Sequence, residues 1–207
     1  IKMVRESVKN IESKNIDVLI CNAGIHPSEY GTSAQGHEIT FATNVLGHYE
    51  LIKTLRTAGR LQGSRIVILT GEIYVLSNES SLDFKWSGSS GAHQAYCRSK
   101  LGNLWLAMGI ENRWKDLQVY SVHPGVVSTG LVHLFGGLGK WLKRQLFLTP
   151  TQGAQTSLRV ATQDLKPGYY SNTCGRLILD ASDSAVDKAK AEKMWKECEA
   201  ASNAVSQ

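Results

Sequence analysis

The hydrophobic positions of the chain follow two different spacings along its length. Within residues 1–14, Ile1, Val4, Val8 and Ile11 recur every three or four positions, which is the spacing of one face of an α-helix. The same spacing predicts helices at residues 37–57 and 93–114. Residues 150–163, with Pro150 suited to a first turn, and residues 184–201, rich in Ala, Lys and Glu, predict two more.

Between the predicted helices lie short apolar runs that are typical of buried strands. These runs occupy residues 17–21, 65–70, 118–122 and 168–171. A continuous apolar run of this length indicates a strand in a parallel sheet that is covered on both faces. Residues 77–91 are rich in serine and glycine, so they predict a loop.

The alternation of helices and strands predicts an α/β fold, a doubly wound parallel sheet with helices on both faces. No linker or repeat divides the chain, so we predict a single domain over residues 1–207. Ligands on such sheets bind at the carboxyl ends of the strands. Three segments directly follow predicted strands and are therefore the first candidates for a site: Asn22-Ala23-Gly24, Thr70-Gly71-Glu72 and His123-Pro124-Gly125.

Composition and charge narrow the classes of function. The chain is 42% hydrophobic with a formal net charge of +5, and its basic residues are dispersed, which argues against a nucleic-acid partner. No apolar stretch reaches the roughly 18 residues that a membrane-spanning helix needs. The cysteines show no Cys-x-x-Cys spacing, so we expect the free thiols of an intracellular protein and no metal site. They are Cys21, Cys97, Cys174 and Cys198.

Tyr96 and Lys100 lie four positions apart in the predicted helix 93–114 and therefore share one helix face. A tyrosine hydroxyl has an ordinary pKa of about 10, which makes it a poor acid or base near neutral pH. A neighbouring ammonium group favours the phenolate and lowers that pKa. Such a tyrosine can exchange a proton with a carbonyl or alcohol oxygen. The spacing alone is common in helices, so its surroundings decide its meaning.

Four further segments accompany this pair in a fixed order: Asn22-Ala23-Gly24, Asn44 in the following helix, Gly63-Ser64-Arg65-Ile66-Val67 and Pro124-Gly125-Val126-Val127-Ser128-Thr129. In this combination the chain resembles the short-chain dehydrogenase/reductase family over nearly its whole length. Finer motifs resemble the retinol-dehydrogenase and WW-domain-oxidoreductase branch. They are Asn-Val-Leu-Gly-His-Tyr at 44–49, Ala-Tyr-Cys-Arg-Ser-Lys-Leu at 95–101, Val-His-Pro-Gly-Val-Val at 122–127 and Gln-Gly-Ala-Gln-Thr at 152–156.

The resemblance implies a Rossmann-like sheet and hydride transfer between a nicotinamide cofactor and a carbonyl or alcohol carbon. It makes Tyr96 the general acid or base, and Lys100 the group that lowers the Tyr96 pKa and hydrogen-bonds the nicotinamide ribose. Asn44 would hold a water in a proton relay through Lys100. The cofactor is NAD or NADP, with NADP favoured by the resemblance. Besides Tyr96 and Lys100, the residues placed against the cofactor are Asn22, Ala23, Gly24, Pro124, Gly125, Val127 and Thr129.

The chain departs from the family pattern at Gly71. The family places a serine at the end of this strand, where its hydroxyl hydrogen-bonds the substrate oxygen, whereas Gly71 has no side-chain donor. Removing one positioned donor of this kind costs on the order of 10²–10³ in rate. Either the site is catalytically weak or another group takes over. The candidates are Thr70, whose position predicts the opposite face of the strand, Glu72, Ser77, Ser80 and Ser81.

A second departure concerns the region ahead of Asn22. The family has a TGxxxGxG turn there, which cradles the cofactor pyrophosphate at a helix N-terminus, and the sequence contains no such segment. By resemblance, two βα units and a strand would precede residue 1, about 60–70 residues if each unit takes about 30. We therefore expect a sheet that lacks its first strands, in an N-terminally truncated product. An alternative gene product or an incomplete gene model gives the same pattern.

Segment 131–148 is apolar, with Lys140, Lys143 and Arg144 interspersed. This pattern suits a cover over a small lipophilic substrate, such as a retinoid or steroid carbonyl, and it also suits peripheral contact with a membrane surface. A cytoplasmic and a membrane-associated location both stay open. Two alternatives to an active enzyme also stay open: a catalytically impaired relative with a binding or regulatory role, and a nucleotide-binding subunit that forms a homodimer through helices 37–57 and 93–114.

Overall fold

The computed structural model describes residues 1–127 and 147–205. The helices are α1 (Lys2–Lys9), α2 (Ile39–Phe41), α3 (Gly47–Thr57), α4 (Gly88–Arg113), α5 (Pro150–Thr162) and α6 (Lys188–Ala204). A π-helical turn, Ala42–Leu46, joins α2 to α3, and 3₁₀ turns lie at Glu72–Leu76 and Ser184–Val186. The strands are β1 (Val18–Cys21), β2 (Arg65–Leu69), β3 (Gln118–His123), β4 (Gly168–Ser171) and β5 (Gly175–Leu177).

The five strands form one sheet in the order β1-β2-β3-β4-β5. Strands β1 to β4 are parallel, with Val18 beside Arg65 and Arg65 beside Gln118. The predicted α/β fold with a parallel sheet is confirmed. The sequence analysis does not predict β5, which pairs with β4 in the antiparallel direction. The sequence signal for β5 is weak because this strand is three residues long, Gly-Arg-Leu, and lacks an apolar run.

Several helix boundaries differ from the predictions, and those of α1 and α4 differ most. Helix α1 ends at Lys9 rather than at residue 14, and the backbone N–H of Asn10 caps it by donating to Ser7 and Val8. Helix α4 begins at Gly88 rather than at residue 93, so the predicted loop 77–91 is too long at its C-terminal end. Serine and glycine are weak helix formers, which hides the first turn of α4 from a pattern-based reading.

Helix α4 runs through the centre of the core and carries both Tyr96 and Lys100. All residues from Leu101 to Ala107 are buried, which is expected of a helix enclosed on every side. Two glycines allow neighbouring elements to approach its backbone closely. A Cβ on Gly102 would lie 2.9 Å from Val45 Cγ2, and a Cβ on Gly109 would collide with the indole of Trp195 on α6. These contacts position α4 against the elements around it.

We predict that Gly109→Ala destabilises the protein. Alanine favours a helix over glycine by about 1 kcal/mol, but the added methyl overlaps the buried Trp195 ring, and overpacking typically costs about 1–3 kcal/mol. Urea denaturation should show a net loss in the free energy of unfolding. Gly71→Ala is the matched control, because a Cβ there meets nothing closer than 3.7 Å; equal stability of the two variants would contradict the packing argument.

Candidate active site

Tyr96 and Lys100 lie together at the carboxyl ends of the parallel strands, as the sequence predicts. The Lys100 Nζ atom is 5.2 Å from the centroid of the Tyr96 ring. It also donates to the carbonyl oxygen of Leu69, the last residue of β2, over 3.4 Å. Lys100 is buried and Tyr96 is half-buried. The helix therefore presents both groups to the edge where such sheets bind ligands.

Burial shifts the pKa values of the two groups in opposite directions. It lowers the pKa of Lys100 to about 8 and raises the pKa of Tyr96 above its ordinary value, because in each case the charged form is poorly solvated. For Tyr96 this direction is opposite to the one that the Tyr-Lys spacing predicts. The hydroxyl of Tyr96 is therefore protonated at neutral pH, which suits the donation of a proton to a substrate oxygen.

Asn44 lies in the π-helical turn and is fully buried. Its amide group accepts from the Ile25 backbone N–H over 2.8 Å and donates to the Ile25 carbonyl over 3.0 Å. It also donates to Ser99 Oγ over 2.9 Å. The side chain of Asn44 thus ties the loop after β1 to α4. Single-turn π segments are frequent at functional sites, and the water-holding role of Asn44 stays a prediction.

The loop after β1 brings Gly24 to the same place. A Cβ on Gly24 would lie 3.5 Å from Asn44 Oδ1 and 4.0 Å from Lys100 Nζ, so the chain backbone borders both groups without an intervening side chain. Asn22 and Ala23 precede it and are exposed to solvent. Tyr96, Asn44 and the loop that carries Gly24 therefore lie around Lys100.

Pro124 and Gly125 follow β3 at this edge of the sheet. Gly125 has a φ of +82°, a conformation that favours glycine. A Cβ there would lie 2.5 Å from Leu148 Cδ1. Val127 pairs with Leu148 in a parallel bridge. Thr129 and most of segment 131–148 lie outside the described residues.

The position of the missing serine is bordered by other side chains. A Cβ on Gly71 would lie 3.7 Å from Lys100 Cγ and 3.9 Å from His123 Nδ1. Thr70 is directed elsewhere, since its hydroxyl donates to the Lys100 carbonyl oxygen over 2.7 Å. Among the serine candidates, Ser77 donates to the Glu79 carbonyl, Ser81 accepts from Arg98, and Ser80 is buried against Gly102.

Three polar residues at neighbouring strand ends form a cluster beside Gly71. Ser171 Oγ, at the end of β4, donates to Glu72 Oε1 over 2.7 Å. Glu72 Oε2 lies 3.7 Å from Nε2 of His123, the last residue of β3. The Glu72 backbone N–H donates to His123 Nδ1 over 3.4 Å. We call Glu72, His123 and Ser171 the Glu72 cluster. In the sequence, His123 could be found as a polar residue directly after an apolar strand.

The surroundings of His123 shift its pKa in opposite directions. Burial lowers the pKa of His123, the carboxylate of Glu72 raises it and the ammonium of Lys100 lowers it. Burial has the largest effect, so the imidazole is neutral at pH 7. Its charge is therefore sensitive to any negative charge that develops nearby.

Tyr96 has a second ring beside it that the sequence does not suggest. The imidazole of His26, in the loop after β1, lies 4.8 Å from the Tyr96 ring, centroid to centroid. His26 also contacts His93 of α4, with 6.1 Å between the ring centroids. This packing helps to keep the Tyr96 ring in place.

Within the described ranges, no group of three or more His, Cys, Asp or Glu side chains is arranged to hold a metal ion. None of the helices in this part of the chain is long and apolar enough to cross a membrane.

No protein-family model matches the chain. The chain is, however, 35% identical to retinol dehydrogenase 12 of Bos taurus, across 89% of this chain and 60% of that protein. It is 30% identical to a chloroplastic short-chain dehydrogenase of Brassica napus, across 94% of this chain and 67% of the relative. The chain belongs to the short-chain dehydrogenase/reductase family.

Within this family the chain is similar to the retinol dehydrogenases, and it spans about 60% of the length of those relatives. Solved structures share its fold. An uncharacterised protein of Mycobacterium paratuberculosis superposes with a TM-score of 0.73 at 24% identity, covering 98% of this chain and 72% of the other. A short-chain dehydrogenase of Burkholderia cenocepacia, solved with NADP, gives a TM-score of 0.56 at 19% identity, covering 81% and 69%.

The buried Lys100 should make stability depend on pH in a defined direction. Its pKa is about 8 in the folded protein and about 10.4 in an unfolded chain. Between these values the unfolded state binds more protons, so the Lys100 contribution to stability rises with pH. The free energy of unfolding is measured in urea at pH 8, 9 and 10 for wild type and Lys100→Met. The value for wild type should rise relative to that of the variant by up to about 1.4 kcal/mol per pH unit. A constant difference would mean that Lys100 keeps its ordinary pKa.

Proposed function

We propose that the protein is an NAD(P)(H)-dependent oxidoreductase that interconverts a carbonyl and an alcohol, with Tyr96 as the acid or base. The observation that carries this proposal is the meeting of Tyr96, Lys100 and the Asn44–Gly24 pair at the carboxyl ends of β1 and β2. A lone Tyr-Lys pair on a helix does not require such neighbours. The membership of the chain in the short-chain dehydrogenase/reductase family supports the same reaction.

The residues around Lys100 fit the ribose of a nicotinamide cofactor. An ammonium group carries three donors, and Lys100 Nζ makes one long hydrogen bond within the described part of the chain. Gly24 leaves the approach from the loop after β1 free of a side chain. When bound, the cofactor supplies the hydride. NADP is the favoured form, in line with the solved relative that holds it.

In the direction of reduction, Tyr96 donates its proton to the substrate oxygen as that oxygen gains negative charge. Burial keeps the phenol protonated before the reaction. The ammonium of Lys100 then stabilises the phenolate that remains, because an opposite charge nearby favours the ionised form. Asn44 holds the loop after β1 against α4, and a water bound near it would return a proton through Lys100.

We infer that the substrate is a small lipophilic carbonyl or alcohol. Relatives that are named retinol dehydrogenases support this class, and the apolar composition of segment 131–148 agrees with it. Four expectations from the sequence stay predictions. They are peripheral membrane contact, a homodimer through helices 37–57 and 93–114, a single domain over residues 1–207, and a cytoplasmic or membrane-associated location.

The second candidate function is that of a catalytically impaired relative with a binding or regulatory role. Gly71 favours it, because this residue cannot supply the hydrogen bond that a serine gives to the substrate oxygen. The two functions differ in turnover, so an activity measurement separates them.

We predict that Tyr96→Phe greatly lowers turnover and leaves cofactor binding intact, since the change removes the hydroxyl alone. In purified protein, NADPH oxidation is followed over a panel of aldehydes and ketones, and the rate should fall by about 10²–10⁴-fold. Tyr30→Phe, at an exposed tyrosine, is the matched control. Equal turnover in Tyr96→Phe and wild type would refute the mechanism, and no turnover in wild type would favour the impaired relative.

A further inference from the structure

We propose that His123, oriented by Glu72, provides the hydrogen bond to the substrate oxygen that other family members obtain from a serine at position 71. This inference rests on the oxidoreductase function proposed above. It concerns the hydrogen bond alone, and the proton of the product still comes from Tyr96.

The space that a serine would fill is present beside Gly71. The backbone of Gly71 is extended, with φ −167° and ψ 142°, so any residue can adopt it. A Cβ would meet Lys100 Cγ at 3.7 Å and His123 Nδ1 at 3.9 Å, which are ordinary van der Waals distances. The imidazole of His123 therefore borders the same volume from the neighbouring strand.

The Glu72 cluster keeps the imidazole at this position. Glu72 is anchored because its Oε1 accepts from Ser171 over 2.7 Å, and Ser171 is itself buried. The other carboxylate oxygen faces His123 Nε2 at 3.7 Å. The carboxylate thus lies on the Nε2 side of the ring and leaves Nδ1 on the side of position 71.

Protonation turns Nδ1 into a donor. In the neutral ring, Nδ1 accepts the Glu72 backbone N–H over a long 3.4 Å bond. In the imidazolium, both ring nitrogens donate, so the long contact between the Glu72 backbone N–H and Nδ1 is given up. Nε2 then faces the carboxylate of Glu72, and Nδ1 can donate to a substrate oxygen. Glu72 favours this form and Lys100 opposes it. The negative charge that develops on the substrate oxygen during reduction adds to the effect of Glu72.

A histidine donor in place of a serine donor should make the rate of the reaction depend on pH. A serine hydroxyl donates at any pH near neutrality, whereas the imidazolium donor exists below the pKa of His123 and is lost as the pH rises through it. We therefore expect the kcat of carbonyl reduction in wild type to decline as the pH rises toward 7, below the range in which Lys100 loses its charge. A serine restored at position 71 should remove this dependence.

The test is a double-mutant cycle with purified protein, NADPH and the best ketone of the panel. His123→Ala should lower kcat by about 10²–10³-fold, the usual effect of losing one such donor. Adding Gly71→Ser to His123→Ala should raise kcat at least tenfold above that of His123→Ala. The kcat of the double variant should no longer decline with pH. His123→Gln, which has a neutral donor, should keep more activity than His123→Ala and also lose the pH dependence. His37→Ala, in the turn ahead of α2, is the histidine control.

The outcomes separate this inference from the proposed function. Wild-type turnover with an unchanged kcat in His123→Ala would overturn the role of His123 and leave the oxidoreductase in place. A loss that Gly71→Ser does not restore, in variants with native circular dichroism, would make His123 a structural residue and would also overturn the inference. If His123→Ala does not fold, the pH profile of His123→Gln decides: a kcat that still declines with pH as in wild type would overturn the inference. Absence of turnover in wild type would overturn the proposed function, and this inference with it.

Discussion

The close approach of neighbouring elements to helix α4 is the constraint on which the site depends. At Gly102 and Gly109 the helix has no side chain, and Val45 and Trp195 occupy that space. Interiors are packed like organic crystals, so a helix enclosed in this way cannot shift without displacing both neighbours. Tyr96 and Lys100 belong to the same rigid helix. Their position relative to the strand ends is therefore set by core packing and not by the loops around the site.

The same enclosure determines the protonation states of the two groups. A position that is dry enough to lower the pKa of Lys100 to about 8 also raises the pKa of Tyr96. At neutral pH the pair consists of a phenol and an ammonium group that lie near each other without sharing a proton. A phenolate left on Tyr96 would face an ammonium group in a poorly solvated environment, where the attraction between charges is stronger than in water.

The features that repeat along the chain could be predicted from the sequence, and those that depend on neighbouring strands could not. The parallel strands follow from apolar runs such as residues 65–70, and the Tyr96–Lys100 pair follows from helical spacing. Strand β5 depends on pairing with β4 and has no pattern of its own. The use of the Asn44 amide on Ile25 depends on a π-helical turn, because one extra residue in a turn changes which side chains face the loop. No local pattern predicts such an insertion.

His123 illustrates the same limit at the site itself. Its motif suggests a turn against the cofactor, yet its ring lies beside Gly71, 52 positions earlier in the chain. Adjacent strands are separated by about 4.8 Å, so a side chain at the end of one strand reaches the space left by a glycine at the end of the next. A loss that looks disabling in a linear motif can therefore be offset from a neighbouring strand. In a parallel sheet, the carboxyl ends supply the site jointly, and the missing serine has to be judged against the ends of β3 and β4 as well as that of β2.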